Sequence, residues 1–296
     1  MQSHKDRRDL LDGLIAIAAF AATLPLTRIA LEGFAPIPLT FGRLLGATLP
    51  AFLMLKYVGA PLPRRHQVSG LLLVALGGVF GFPLLTAFAL EGRLAAPAAI
   101  PLALMPLITA VWSRLRAHEH PTPAFWLWAV VGSAVVLHFV WSTGPTAVSP
   151  ILFGAALSAA VAYAEGGRLA REMPGWQVMA WALMLAAPVA ALGFGYSWAH
   201  QPLPITLPPW LALAYLALVT QLGAFWFWYR ALATGVARTS QLQLLQPFIT
   251  FILAAILLGE SVQPTLWLYA ATVVATVQRT RARGQRAFQP GKETSV

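Results

Sequence analysis

Apolar residues run along this chain in stretches about twenty residues long, separated by short polar connections. A stretch of that length, wound as a helix, spans the hydrocarbon of a bilayer. The pattern predicts ten of them, near residues 10–31, 38–57, 67–90, 95–115, 122–141, 150–170, 175–197, 208–229, 237–258 and 264–282. No connection is long enough for a soluble domain, so an all-α integral membrane protein is expected. The first stretch follows Lys5, Arg7 and Arg8, as in a signal peptide. Its length and the lack of a small-residue cleavage site favour a first span.

Composition agrees. Of 296 residues, 58% are apolar and 10% charged, too little charge to cover a water-exposed surface. There are no cysteines, which excludes disulfides, thiolate metal sites and cysteine nucleophiles. The net charge of +10 sits between apolar stretches and at the two ends, a pattern that fits lipid headgroups and topology rather than nucleic acid. The tail Lys5, Arg7 and Arg8, the group Lys56, Arg64 and Arg65, the pairs Arg114 and Arg116, Arg168 and Arg171, and Arg230 and Arg238, and the C-terminal basic run all fall on one side. Arg28, Arg43 and Arg93 are the exceptions among 20 basic residues. The positive-inside rule then places both termini in the cytoplasm. Arginine far outnumbers lysine and alanine is abundant, which suggests a high-GC bacterium and hence a bacterial cytoplasmic (inner) membrane.

Sliding the chain on itself by 141 residues aligns 96–129 with 237–270 without a gap. Pro106 meets Pro247, Thr109 meets Thr250, Glu119 meets Glu260, Pro123 meets Pro264 and Trp126 meets Trp267. Two halves are expected, 1–141 and 142–296, each with five helices. Five is odd, so the second half would enter from the opposite side as an inverted repeat. Prolines inside the spans (Pro25, Pro50, Pro83, Pro101, Pro106, Pro188 and Pro247) predict kinks, each with an acceptor to be satisfied elsewhere.

The segments "LLDGLIAIAAFAATLPLTRIALEGFAPIPLTFGRLLGA" and "QLQLLQPFITFILAAILLGESVQPTLWLYAATVV" resemble the EamA-type branch of the drug/metabolite transporter superfamily. The second carries a proline-bearing ninth helix and a Gly259-Glu260 turn. Its weaker first-half copy has His118 in place of the glycine. The resemblance implies a ten-helix inverted-repeat carrier with a central cavity, exporting amino acids or other small metabolites.

Polar groups deep in a membrane helix are functional candidates. Gln243 and Gln246 share a face of the ninth span, where their first-half counterparts are Leu102 and Met105, so the repeat does not need them. Their amides suit a zwitterion, or else join helices. Pro247 should also leave the Gln243 carbonyl without its helical donor. Gln221 lies at mid-depth in the eighth span. Glu165 could bind an ammonium, couple protons, or pair with Arg168, Arg28 or Arg43. Arg43 suggests packing, and "FWFWYR" (225–230) an interfacial belt. Tyr163 and Trp112 could supply aromatic walls. No Walker A or nucleophile motif is present, and no cofactor, metal or enzymatic activity is expected. The expectation is a secondary transporter of neutral or aromatic amino acids, with small-molecule substrate and lipid as partners. A same-fold carrier of a nucleobase, cationic drug or vitamin precursor, or a lipid-modifying membrane enzyme, stands as the alternative.

Overall fold

The computed structural model describes residues 2–116, 123–143, 148–200, 204–272 and 275, and every regular element among them is helical. We number the helices α1 (Gln2–Ala21 with Thr23–Ala30), α2 (Pro36–Val58), α3 (Arg65–Leu90), α4 (Ala95–Leu102 with Met105–Arg116) and α5 (Pro123–Thr143). They continue with α6 (Ile151–Leu169), α7 (Gly175–His200), α8 (Leu207–Leu232), α9 (Val236–Ser240 with Gln241–Leu258) and α10 (264–272). The His118–Glu119 turn and the basic run from Arg279 lie outside the described residues. Seven helices, α1 to α4 and α7 to α9, are long and apolar enough to cross a membrane. α6 has the length, at 19 residues, but Glu165, Arg168 and three glycines lower its hydropathy.

α6 is the axis of the bundle. Its small residues Ala155, Ala156, Ala159, Ala160 and Ala162 are buried, and α3, α4 and α8 pack around it. Without a hydrophobic drive between helices in lipid, close backbone approach supplies the attraction. Gly166 illustrates the constraint, since a Cβ there would lie 2.1 Å from the Tyr229 ring of α8. Outward-facing Leu49, Leu192 and Leu211 are exposed, as a lipid-facing surface requires.

Four helices depart from α geometry where the repeat would have them do so together. α3 widens to a π-turn at Ala75–Gly81 and α8 at Leu216–Gly223, and the two starts are 141 residues apart. α4 breaks at Ala103–Leu104, and the 3₁₀ segment Gln241–Leu245 of α9 covers the matching register. The freed backbone groups find partners across the halves. In the π register the Phe82 N–H donates to the Gly77 carbonyl, so the next donor would be Pro83, which has no N–H. The Gly78 carbonyl instead accepts from the Gln221 amide of α8 at 3.3 Å. Pro25 likewise denies a donor to the Ala21 carbonyl, and the Thr250 hydroxyl of α9 donates to it at 2.9 Å. At Pro247 the expectation fails. The 3₁₀ turn lets the Gln246 N–H donate to the Gln243 carbonyl, so that carbonyl is not a free acceptor.

Candidate substrate cavity

Six helices meet at a small cavity. Phe20 and Thr23 come from α1, Arg43 from α2, Gly78 and Phe82 from α3, Ala159 and Tyr163 from α6, Phe225 from α8 and Gln246 from α9. Its volume is about 10 Å³, room for roughly one water and not for a metabolite. Gln246 also lines a second cavity of about 10 Å³, with Gln243, Pro247, Leu24, Leu102 and Met105 among its walls. Both cavities sit where the α1 break, the α3 π-turn and the α4 and α9 irregularities converge.

One wall is aromatic. Phe20 stacks on Tyr163 at 6.2 Å and meets Phe225 edge-on at 5.1 Å. Tyr163 meets Phe225 at 5.8 Å and Trp228 at 5.5 Å. Offset and edge-on packing suits the ring quadrupoles and leaves a rigid apolar face. The "FWFWYR" run is therefore not an interfacial belt as a whole. Phe225, Trp228 and Tyr229 are buried, and the Tyr229 hydroxyl donates to the Ala162 carbonyl at 3.2 Å. Trp226, 41% exposed, keeps the expected outward position.

The other wall is polar and short of partners. Gln246 makes one long contact, donating to the Phe20 carbonyl at 3.5 Å. Both side-chain polar atoms of Gln243 are buried without a hydrogen bond. Gln221 lines neither cavity; it lies wholly buried behind Gly78, and its oxygen has no partner among the described residues. Arg43 is 5% exposed, its Nε is unpartnered, and it forms no ion pair with any described carboxylate. Buried polar atoms are nearly always satisfied, and a buried unpaired cation is especially costly. The concentration of exceptions around two adjoining cavities marks this place. A packing role, or pairing with Glu165, was the expectation for Arg43, and its lack of an ion pair among the described residues was not legible in the sequence.

Glu165 and Trp112 line neither cavity. The Glu165 carboxylate is fully buried and its oxygens accept from Trp112 Nε1 at 3.1 Å, Arg116 Nε at 2.8 Å and Arg168 Nε at 3.1 Å. Arg168 also reaches Glu172 at 3.2 Å, and Glu172 accepts from Gln67 at 3.1 Å and contacts His66 at 2.9 Å. The Gln67 amide, helped by His66 and the Arg168 charge, holds the Glu172 carboxyl below its usual range. Of the open alternatives for Glu165, the structural pairing is the one observed, with Arg116 as a partner not foreseen.

Ties join the halves at both ends of the bundle. At the end bearing the N-terminus, Arg116 and Glu165 pair α4 with α6. His66 and Gln67 pair α3 with Glu172, and Arg230 of α8 grips Asp12 of α1 with two nitrogens. At the opposite end, the Glu260 carboxylate caps α4, accepting from the N–H groups of Ala95 at 2.7 Å and Ala96 at 2.9 Å. A carboxylate there neutralises otherwise orphaned donors and the positive end of the helix dipole. Gly259, at φ 65°, turns the chain into position. Phe34 packs on Trp210 at 5.0 Å nearby.

A bundle of apolar helices closed around a buried, polar-and-aromatic cavity is the build of a polytopic membrane protein. The EamA-like transporter family matches this chain twice, over residues 10–141 and 148–278, and the chain belongs to that family, within the drug/metabolite transporter superfamily. It is 38% identical over 283 residues to the "Uncharacterized transporter YdeK" of Bacillus subtilis (strain 168), covering 93% of this chain and 96% of that protein. A solved crystal structure superposes with a TM-score of 0.70 at 19% identity, covering 95% of this chain and 99% of that one, which supports the fold.

Proposed function

We propose that the chain is a secondary carrier of ten crossings, built as two inverted five-helix halves (1–141 and 142–296), in a bacterial cytoplasmic membrane with both termini inside. It exports neutral or aromatic amino acids by alternating access. The supporting observation is the cavity itself. Both halves contribute to it, ties at both ends close it, and it combines an aromatic face with unpartnered polar groups. A closed cavity with room for one water fits an empty closed intermediate, in which opening either end gives the substrate space.

In this reading Gln246 and Gln243 contact the polar end of the substrate, and Tyr163 with Phe20 and Phe225 contacts its apolar end. Gln221 holds the two π-turns together beside them. The test is counterflow in proteoliposomes with the twenty amino acids and a set of nucleosides, for wild type and Gln246→Leu. We expect half-saturation for the transported amino acids to rise about ten- to a hundred-fold in the variant, the worth of one hydrogen bond to a charged group. Melting temperature should change little. A folded Gln246→Leu carrier with wild-type affinity for every transported compound would make this glutamine packing, as Met105 is in the matching position.

A further inference from the structure

Arg43 is the only charged residue on the cavity wall. Its guanidinium is buried, its Nε faces no acceptor, and none of the lining residues is acidic. The two buried carboxylates of the described residues are taken elsewhere: Glu165 has both oxygens engaged by Trp112, Arg116 and Arg168, and Asp12 is held by Arg230. Among the described residues, no carboxylate compensates the Arg43 charge. Holding such a charge out of water is unfavourable, and it costs least when an anion arrives with every turnover.

From this we infer that Arg43 is the substrate-binding cation of the cavity, taking a carboxylate group of the cargo as its partner. This rests on the transport reading above and deepens it. Arginine suits the task, because a planar fork of donors fits the two oxygens of a carboxylate and stays charged in a dry site. The Thr23 hydroxyl and the Gln246 amide line the same cavity and offer further donors to that group. Phe20, Tyr163 and Phe225 meet what is attached to it.

The wall is asymmetric in charge. A carboxylate has a cation waiting, whereas an ammonium has only neutral acceptors such as the Gln246 oxygen. A zwitterionic amino acid is therefore recognised mainly through its carboxylate. An aromatic monocarboxylate lacking the ammonium should bind at least as well. An aromatic amine of the same shape should be repelled by the like charge of Arg43.

The probes are phenylacetate, phenylalanine, phenethyl alcohol and phenethylamine, which share a ring and differ in head group. Binding is read as ligand-induced shift of melting temperature in detergent, and movement as counterflow in proteoliposomes. We expect wild type to bind phenylacetate and phenylalanine, and to bind phenethyl alcohol and phenethylamine at least tenfold more weakly. In Arg43→Gln the preference for carboxylates should collapse by about ten- to a hundred-fold, with Arg43→Lys intermediate. A second readout separates binding from packing. Removing an unpaired buried charge should leave ligand-free Arg43→Met at or above the wild-type melting temperature, where a structural arginine would lower it.

Wild type that binds the amine or the alcohol as tightly as the carboxylates overturns the proposal. So does wild type that binds none of the four, or a folded Arg43→Gln that keeps its carboxylate affinity within twofold. Carboxylates bound but not moved would overturn the carrier reading and leave the Arg43 site standing. Amines or nucleosides moved while carboxylates are ignored would do the reverse.

Discussion

Glu165 and Arg43 carry opposite lessons about buried charge. Both are ionisable side chains inside the bundle, and both are almost wholly removed from water. Glu165 receives three donors from three side chains, so its charge is compensated in place. Arg43, which can only donate, forms an ion pair with none of the described carboxylates, and its Nε has no acceptor. The sequence offered Glu165 as a candidate site residue and gave Arg43 a packing role, because partner identity depends on which helix faces which at a given depth. Arg116 and Trp112 lie about fifty residues before Glu165, and only packing of α4 against α6 joins them. Replacing Glu165 by Gln should therefore act on stability. We expect a loss of about 1–3 kcal/mol, less than for a fully enclosed pair because Arg116 and Arg168 reach water. Thermal unfolding of the purified variant measures this. Transport per folded molecule should stay within a few-fold of wild type, and an inactive but stable Glu165→Gln protein would restore the carboxylate to the transport mechanism.

Elements were legible in the sequence where apolar length decides them. The predicted stretches coincide with the helices to within a few residues over most of the described chain, because hydrocarbon thickness leaves little freedom. Their irregularities were legible only at prolines. Pro25 foretold a break in α1, yet Thr250 as the donor that mends it required the tertiary fold. The widened turn of α8 has no proline at all. Asp12 was overlooked because it stands near the basic start of α1, where an acidic residue passes for a solvated one, and α8 covers it. This pair binds one half to the other at one end of the cavity. Asp12→Asn should loosen that end. A cysteine at Thr23, buried in wild type at 2% exposure, should label several-fold faster in Asp12→Asn from the cytoplasmic face of inside-out vesicles. Equal labelling rates would mean that the pair fastens helices without gating the cavity.

At the scale of the whole molecule the proposed inverted architecture makes a topological claim. The chain has no cysteine, so single cysteines report cleanly. Leu62 and Ile205 are 80% and 101% exposed, in connections that the positive-inside rule assigns to opposite faces. Ile205→Cys should react with an impermeant maleimide on intact cells, and Leu62→Cys only after permeabilisation. Labelling of both from one face would remove the alternation on which the inverted repeat depends. The matched π-turns reach further, into the history of the chain. Such a turn holds one residue more than an α-turn and rotates everything beyond it by roughly 100° around the helix axis. Gaining that residue separately in two finished halves would twice turn a packed helix to the wrong face, at the same register, with Ala75 and Leu216 each opening the turn 141 residues apart. One insertion in a half-length gene, copied when that gene was duplicated and fused, accounts for both.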